Sequence, residues 1–381
     1  MSTQTWFEVR DANTIPSPSL LIYLELLDQN LRQTLAIAGS PDRLRPHIKT
    51  HKMRQPLEMQ LALGIRKFKC ATLAEAELAA KCAVPDLLLA YQLVGPAIPR
   101  FLDLLGTFPK TKFSTICDDP EAIRELSKAV CSQGTARSDA AGRNHRLDVL
   151  LDIDLGQQRT GVKVGADAAE LYRLINSSPG LAPGGLHAYD GHISETELAK
   201  RTALCEAAFA PVAAFRRELV SAGLPVPRLV VGGSPTFPVH ARRPDVECSP
   251  GTCVFWDAGY ARKLPDLPFK PAALLLTRVI SKPGPNRLCL DLGHKAVGSE
   301  MPHPRVVLLN LEDAQPITHS EEHLVIETHR SSEYRVGDCL YGIPWHICPT
   351  VALHSSVVIV KGGDVAGTWK VAARDRCLTS E

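Results

Sequence analysis

No run of about 18 apolar residues occurs anywhere in this chain of 381 residues, which argues against a helical membrane span. Its first fifteen residues carry acids and lack a basic-then-apolar layout, so no secretory leader is expected. An excess of one charge is missing too. The 43 Lys and Arg nearly balance 41 Asp and Glu, a formal net charge of +2, which gives no case for nucleic acid or an acidic membrane as partner. The 11 cysteines are odd in number and lack paired spacing, and Cys70, Cys117 and Cys289 sit in apolar segments. That pattern points to reduced thiols in a cytoplasmic protein rather than a disulfide framework. No glycine-rich dinucleotide fingerprint follows the first strand-like run, which speaks against a Rossmann fold. There is no tandem repeat.

What is present is a composition ordinary for a globular protein, 45% hydrophobic and 22% charged, in a chain long enough for two domains. Short apolar runs at 20–23, 45–49, 67–71, 87–91, 112–117, 147–154, 185–189 and 228–232 alternate with stretches of helical periodicity at 73–81, 120–131, 167–176 and 197–222. This alternation predicts an α/β chain with a (β/α)₈ barrel over 20–260. Beyond it, proline-rich connections lead to β-rich runs at 274–280, 288–292, 306–311, 324–328, 351–361 and 367–373. These predict a second, all-β domain over 261–381, joined by residues 1–19. The polar stretch 133–145 reads as a surface loop.

Barrel chemistry collects where strands end, and the polar motifs fall there. Lys49 closes Arg45-Pro46-His47-Ile48-Lys49-Thr50-His51-Lys52, where an apolar run turns basic. Crowding by Lys52 and the histidines, with burial, would favour a free amine able to form a Schiff base. On its own such a charge cluster faces water. Arg159 follows the run 147–154, and there a guanidinium can hold a cofactor phenolate or merely face solvent. Tyr189-Asp190-Gly191-His192 ends the next run. Gly232, Gly233, Ser234 and Thr236 then offer backbone N–H and hydroxyl donors of the kind that cradle phosphate, with Ser249, Gly251 and Thr252 downstream. A lone GGS turn would be only a turn; four polar rims converging argue for a site. In the β-rich part, His346 and Cys348 lie two apart on what reads as a strand, so they face one way and can share a metal ion. Two ligands leave the shell open for water, substrate or a distant residue. A buried thiol beside a core histidine is the plainer outcome of such a pair.

Together these residues resemble the D-threonine aldolase and D-serine dehydratase family of alanine-racemase-like pyridoxal-phosphate (PLP) enzymes. The likeness runs through RPHIKTHK, KFKCATLAEAE, DLLLAYQLVGP, GLHAYDGH, VVGGSPTF, SPGT, LDLGHKAV, SEEHLV and PWHICPT, nearly the whole chain. It implies a cofactor-holding barrel, a C-terminal β domain and a head-to-tail homodimer. It makes Lys49 the Schiff-base lysine and Arg159 the arginine near the phenolate oxygen. Tyr189 joins Gly233, Ser234, Thr236, Gly251 and Thr252 around the cofactor. His192 becomes a base toward the substrate hydroxyl, and His346 with Cys348 the pair for a divalent metal (Mn, Mg or Zn).

Two departures matter. Cys348 stands where several aldolases of the family carry aspartate and D-serine dehydratases carry cysteine, and thiolate favours zinc. Ser249 stands where the wider fold places a charged partner for the pyridine nitrogen. The expected activity is retro-aldol cleavage of a D-3-hydroxy amino acid to glycine and an aldehyde, catalysed by Lys49 and His192. Dehydration of D-serine or D-threonine by the same parts is the close alternative. A racemase or a non-catalytic PLP carrier is more remote. Asp291, His294, Lys295 and Glu321 to His323 either reach a neighbouring subunit's pocket or pack their own domain.

Overall fold

The structure, a computed structural model, describes residues 5–132, 137–138 and 144–376. The expected surface loop at 133–145 lies outside the described residues, apart from a short antiparallel backbone pairing of Arg137–Ser138 with Asn144–His145. The chain forms two compact units. Residues 35–49 and 57–251 make one, and residues 5–34, 50–56 and 252–374 the other. The first strand, β1 (Ser19–Tyr23), belongs to the second unit and not to the barrel where its apolar run had been placed.

The first unit is a parallel β/α barrel. Its strands are β2 (Lys67–Cys70), β3 (Asp86–Gln92), β4 (Lys112–Cys117), β5 (Leu147–Asp154), β6 (Leu181–Tyr189), β7 (Leu229–Val231) and β8 (Glu247–Cys248), hydrogen-bonded in the order β8-β7-β6-β5-β4-β3-β2. Residues 44–47 fill the gap between the two edges: Leu44 bridges Cys248 of β8 and His47 bridges Lys69 of β2, both in parallel. The eighth member is therefore this pair of bridges rather than a continuous strand. β8, only two residues long, is the member that periodicity does not show. Leu88, Ile116, Leu150 and Val230, one from each of four strands, pack together in a buried cluster.

Local signals set the helices. Leu73–Lys81 starts at Thr72, whose hydroxyl accepts from Glu75 N at 3.2 Å, while Glu75 Oε2 accepts from Ala71 N at 2.7 Å. This resembles a capping box, with both orphan donors used. Pro120–Ser132 opens on proline, is capped by Asp119 Oδ1 on Ala122 N at 2.9 Å, and buries Ile123, Leu126 and Val130 at helical spacing.

The barrel closure carries a buried charge. Arg45 is wholly buried; its Nε donates to Glu247 Oε2 at 2.6 Å and its Nη1 to Asp86 Oδ1 at 2.7 Å and Phe68 O at 3.2 Å. One side chain thus ties β8, β2 and β3 to the closing segment. Burial alone would raise the Asp86 and Glu247 carboxyls, but Arg45 outweighs it and holds both below the usual range.

The second unit is a mostly antiparallel nine-stranded sheet. Its further strands are β9 (Ala273–Gly284), β10 (Arg287–Leu290), β11 (Val306–Leu308), β12 (Gln315–His319), β13 (Leu324–Glu327), β14 (Cys339–Pro344), β15 (Ser356–Lys361) and β16 (Asp364–Lys370). β1 is central, antiparallel to β9 and parallel to β15. Phe7, Ile15, Leu21, Leu274, Tyr341 and Val360 belong to one buried cluster beneath it. Asp291 accepts from Thr277 Oγ1 and Arg278 N, so it packs within its own unit. No helix among the described residues is long and apolar enough to cross a membrane.

Removing Arg45 leaves two half-buried carboxylates with weaker partners: Asp86 keeps Arg228 at 3.8 Å and the Lys112 charge, and Glu247 keeps Lys67 at 2.9 Å. Arg45→Met should therefore lose about 3 kcal/mol in urea unfolding at pH 7, the low end for a broken buried pair. Because both carboxyls are depressed in the fold, the loss is fully present above about pH 4.5 and shrinks as pH falls through their folded values. A loss under about 1 kcal/mol at pH 7 would contradict the closure role.

Candidate active site

A cavity of about 500 Å³ in the barrel unit is lined by Lys49, Lys69, Asp152, Arg159, His187 and Tyr189 among others. Lys49 sits in the one-turn 3₁₀ helix Ile48–Thr50, directly after the closing segment, and is half-buried. Its backbone N donates to His47 Nδ1 at 3.3 Å. Strand alternation puts His187 and Tyr189 on one face of β6, and the β5–β6 register sets Asp152 opposite His187.

Tyr189 is where the cations gather. Lys49 Nζ lies 5.8 Å, Lys69 Nζ 5.6 Å and Arg159 Cζ 5.2 Å from its ring centroid. The ring lies so close to Gly191 that a Cβ there would fall 1.9 Å from the phenol oxygen, and a Cβ on Gly233 would meet the ring at 3.0 Å. A side chain at Gly191 would have to displace the ring, and one at Gly233 would crowd it.

Below the ring runs a buried chain absent from the sequence reading. Lys69 Nζ is 3.4 Å from His187 Nε2, and His187 Nδ1 is 2.6 Å from Asp152 Oδ1. Burial first, and then the Lys49 charge, lower the Lys69 pKa to about 7, with Asp152 partly offsetting them. Burial likewise lowers His187, so its neutral ring donates Nδ1–H to Asp152 and offers Nε2 to the lysine.

His51 does not add positive potential, contrary to expectation. His47 accepts a backbone N–H, and His51, fully buried and accepting from Met53 N at 3.1 Å, is pushed by burial to about 3. The basic side chains that share the cavity with Lys49 are Lys69 and Arg159 instead.

The loop after β7 is held from beneath by Asp190. Its Oδ1 accepts from Gly233 N at 3.1 Å and Thr236 Oγ1 at 2.6 Å, and its Oδ2 from His240 Nε2 at 2.7 Å. The Gly233 N–H and Thr236 hydroxyl, expected to face a phosphate, are thus engaged within the loop. Ser234 Oγ accepts from Gly251 N at 3.2 Å, which links this loop to the one after β8. Ser249 Oγ donates to Arg45 O at 2.8 Å, so its hydroxyl proton is already used. His192 is exposed, and its Nε2 lies 3.8 Å from where a Cβ on Gly156 would stand; it is not among the residues lining the cavity.

Among the described residues, Asp190, Cys205 and His240 are near enough to one another to hold an ion. As found they form a hydrogen-bonded latch. His240 Nδ1 accepts from Arg243 Nη1 at 2.9 Å, which leaves Nε2–H to donate to Asp190, and burial pushes the Cys205 thiol up to about 12.

In the second unit His346 and Cys348 are not on a strand. His346 caps the short helix Ile347–Leu353 and Cys348 lies in its first turn. The two still lie within hydrogen-bonding reach of each other, so the expected pairing arises from a helix start rather than from pleat alternation. His346 Nδ1 pairs with Glu300, and Cys348 Sγ lies 3.4 Å from Thr50 Oγ1 and 3.6 Å from Thr252 Oγ1. Asp257 Oδ2 accepts from Ile347 N at 3.1 Å and anchors the turn; burial raises its carboxyl to about 6. Burial alone would lower His346, yet Cys348, Glu300 and Asp257 raise it to about 9. A thiol, an imidazole and nearby carboxyl groups that together hold a proton on histidine make a donor set that suits a divalent cation. The barrel cavity, with a lysine amine, an arginine and a glycine-bounded tyrosine, likewise suits an anionic aldehyde such as PLP.

The description "Alanine racemase, N-terminal domain" matches residues 22–258, and "Putative serine dehydratase domain" matches residues 272–360. A D-threonine aldolase of Arthrobacter sp is 29% identical over 371 residues, covering 94% of this chain and 93% of that protein. A 3-hydroxy-D-aspartate aldolase of Paracoccus denitrificans (strain Pd 1222) is 29% identical over 380 residues, covering 96% and 94%. The crystal structure of D-threonine aldolase from Filomicrobium marinum superposes with a TM-score of 0.86 at 26% identity, over 95% of this chain and 97% of that one. With the first match spanning more than half of the sequence and the fold agreeing throughout, the chain belongs to the alanine-racemase-like family of D-threonine aldolases and D-serine dehydratases, and it is a lyase.

Proposed function

We propose that this protein cleaves D-3-hydroxy amino acids of the D-threonine type to glycine and an aldehyde, using PLP and a divalent metal. One observation carries the reading. A lysine amine, an arginine and a tyrosine converge on one barrel cavity, with Gly233 close against the tyrosine ring. Bound PLP supplies an electron sink for the charge left on the substrate's α-carbon. A divalent ion on His346 and Cys348 supplies a Lewis acid.

The chain's own residues do the rest. Lys49 presents the amine that would hold the cofactor. Arg159, over the Tyr189 ring, stabilises negative charge on the cofactor oxygen. Ser234 offers a hydroxyl to the phosphate, while Asp190 fixes Gly233 and Thr236 so that the loop keeps its shape. His192, exposed at the end of its motif, takes the hydroxyl proton as the Cα–Cβ bond breaks. A homodimer is part of the same reading, following the family.

Dehydration is the second reading, favoured by Cys348 and by the serine dehydratase match over 272–360. There the hydroxyl leaves as water and the products are an oxo acid and ammonia. Incubation with D-threonine separates the two. Cleavage predicts acetaldehyde and glycine in equal amounts; 2-oxobutanoate with ammonia instead would replace this reading by the second.

The His192 role has its own test. His192→Ala should lower turnover by about 10²-fold or more while cofactor absorbance and affinity stay near wild type. Loss of both together would show that the residue shapes the cofactor site instead.

A further inference from the structure

Lys69 has no part in the reading above, yet it is the most chemically unusual amine of the cavity. It lines the cavity while only 2% exposed, on β2 beside His47 of the closing segment. Its Nζ approaches the Tyr189 ring as closely as that of Lys49 does, at 5.6 Å against 5.8 Å. One N–H is committed to His187 Nε2, and Asp152 fixes that imidazole through Nδ1. With one hydrogen bonded, the lone pair of a neutral Lys69 is free to point elsewhere in the cavity. The charged and titratable groups acting on it are Lys49, Asp152, Arg45 and Asp190, with His187 at hydrogen-bonding distance. Desolvation and the Lys49 charge outweigh the two acids, so much of the amine is unprotonated near neutral pH. An unprotonated lysine on a water-poor cavity wall is the form that attacks carbonyls.

We propose that Lys69 is a second carbonyl-capturing amine of this cavity, which takes aldehydes through an imine at Nζ. The amine adds to the carbonyl carbon, its two hydrogens leave with the carbonyl oxygen as water, and a C=N bond remains. Two aldehydes fit this chemistry: a small aldehyde of the kind a retro-aldol cleavage releases, and the cofactor's own. In the first case Lys69 is a site of product capture; in the second it is a reserve anchor next to Lys49.

Two arms separate them. In the first, the full-length wild-type chain freed of cofactor is treated with acetaldehyde and cyanoborohydride across pH, and peptides are mapped. Lys69 should carry the ethyl group, with half-maximal labelling near pH 7. Exposed lysines should follow at about pH 10.4. Lys69 left unmodified, or labelled only in step with surface lysines, overturns the inference. In the second arm, Lys49→Ala is loaded with PLP and reduced with borohydride. A pyridoxyl group on Lys69 extends the site to the cofactor aldehyde, while its absence there after labelling in the first arm assigns the site to small aldehydes. The first arm uses no cofactor and no activity, so its failure is separate from any failure of the function proposed above.

Discussion

Closing a parallel barrel on a segment that is barely a strand is the constraint from which the cavity follows. Residues 44–47 join β8 on one side and β2 on the other through two bridges and a few backbone hydrogen bonds, such as Arg45 N to Cys248 O at 2.8 Å and Lys69 N to Pro46 O at 2.9 Å. Arg45, itself fully buried, reinforces the seam by bonding to three strands, with charge-assisted bonds to Asp86 and Glu247. That seam fixes two lysines at once. Lys49 follows it by two residues, and Lys69 is the direct partner of His47 across it. Neither amine could be held at the Tyr189 ring if the seam were loose.

Charge, more than shape, then defines what the cavity can hold. Lys49, Arg159 and the partly deprotonated amine of Lys69 surround one aromatic ring, and Asp152 is tied up by His187. The arrangement favours an anion with a planar ring. The turn around His346 has the opposite bias. Cys348, Glu300 and Asp257 draw a proton onto the histidine, and a divalent cation would satisfy the same field. Each unit thus carries an electrostatic preference that matches one of the two cofactors proposed.

Much of this was legible in the sequence, and the rest was hidden for identifiable reasons. Lys49, Arg159 and Tyr189 stand out because polar residues at the ends of apolar runs are unusual, and the structure brings them to one cavity. The helices Leu73–Lys81 and Pro120–Ser132 follow from caps and periodicity that act locally. β1 misled because an apolar run of five residues does not say which strand it will pair with; its partners lie at 273–276 and 358–360. β8 is too short to leave a period. Lys69 went unseen because Lys67-Phe68-Lys69-Cys70 alternates like a strand with a solvated face. Lys67 does keep that character, half-buried and paired with Glu247, while Lys69 turns inward. The β-branched and apolar residues around His346 suggested a strand, but Asp257, distant in sequence, anchors a helix start there.

The covalent attachment of the cofactor tests the account most directly. The wild-type holoprotein would be reduced with borohydride, digested and mapped by mass spectrometry. The account predicts a pyridoxyl group on the peptide that contains Lys49. A modified peptide elsewhere, or none at all, would contradict it.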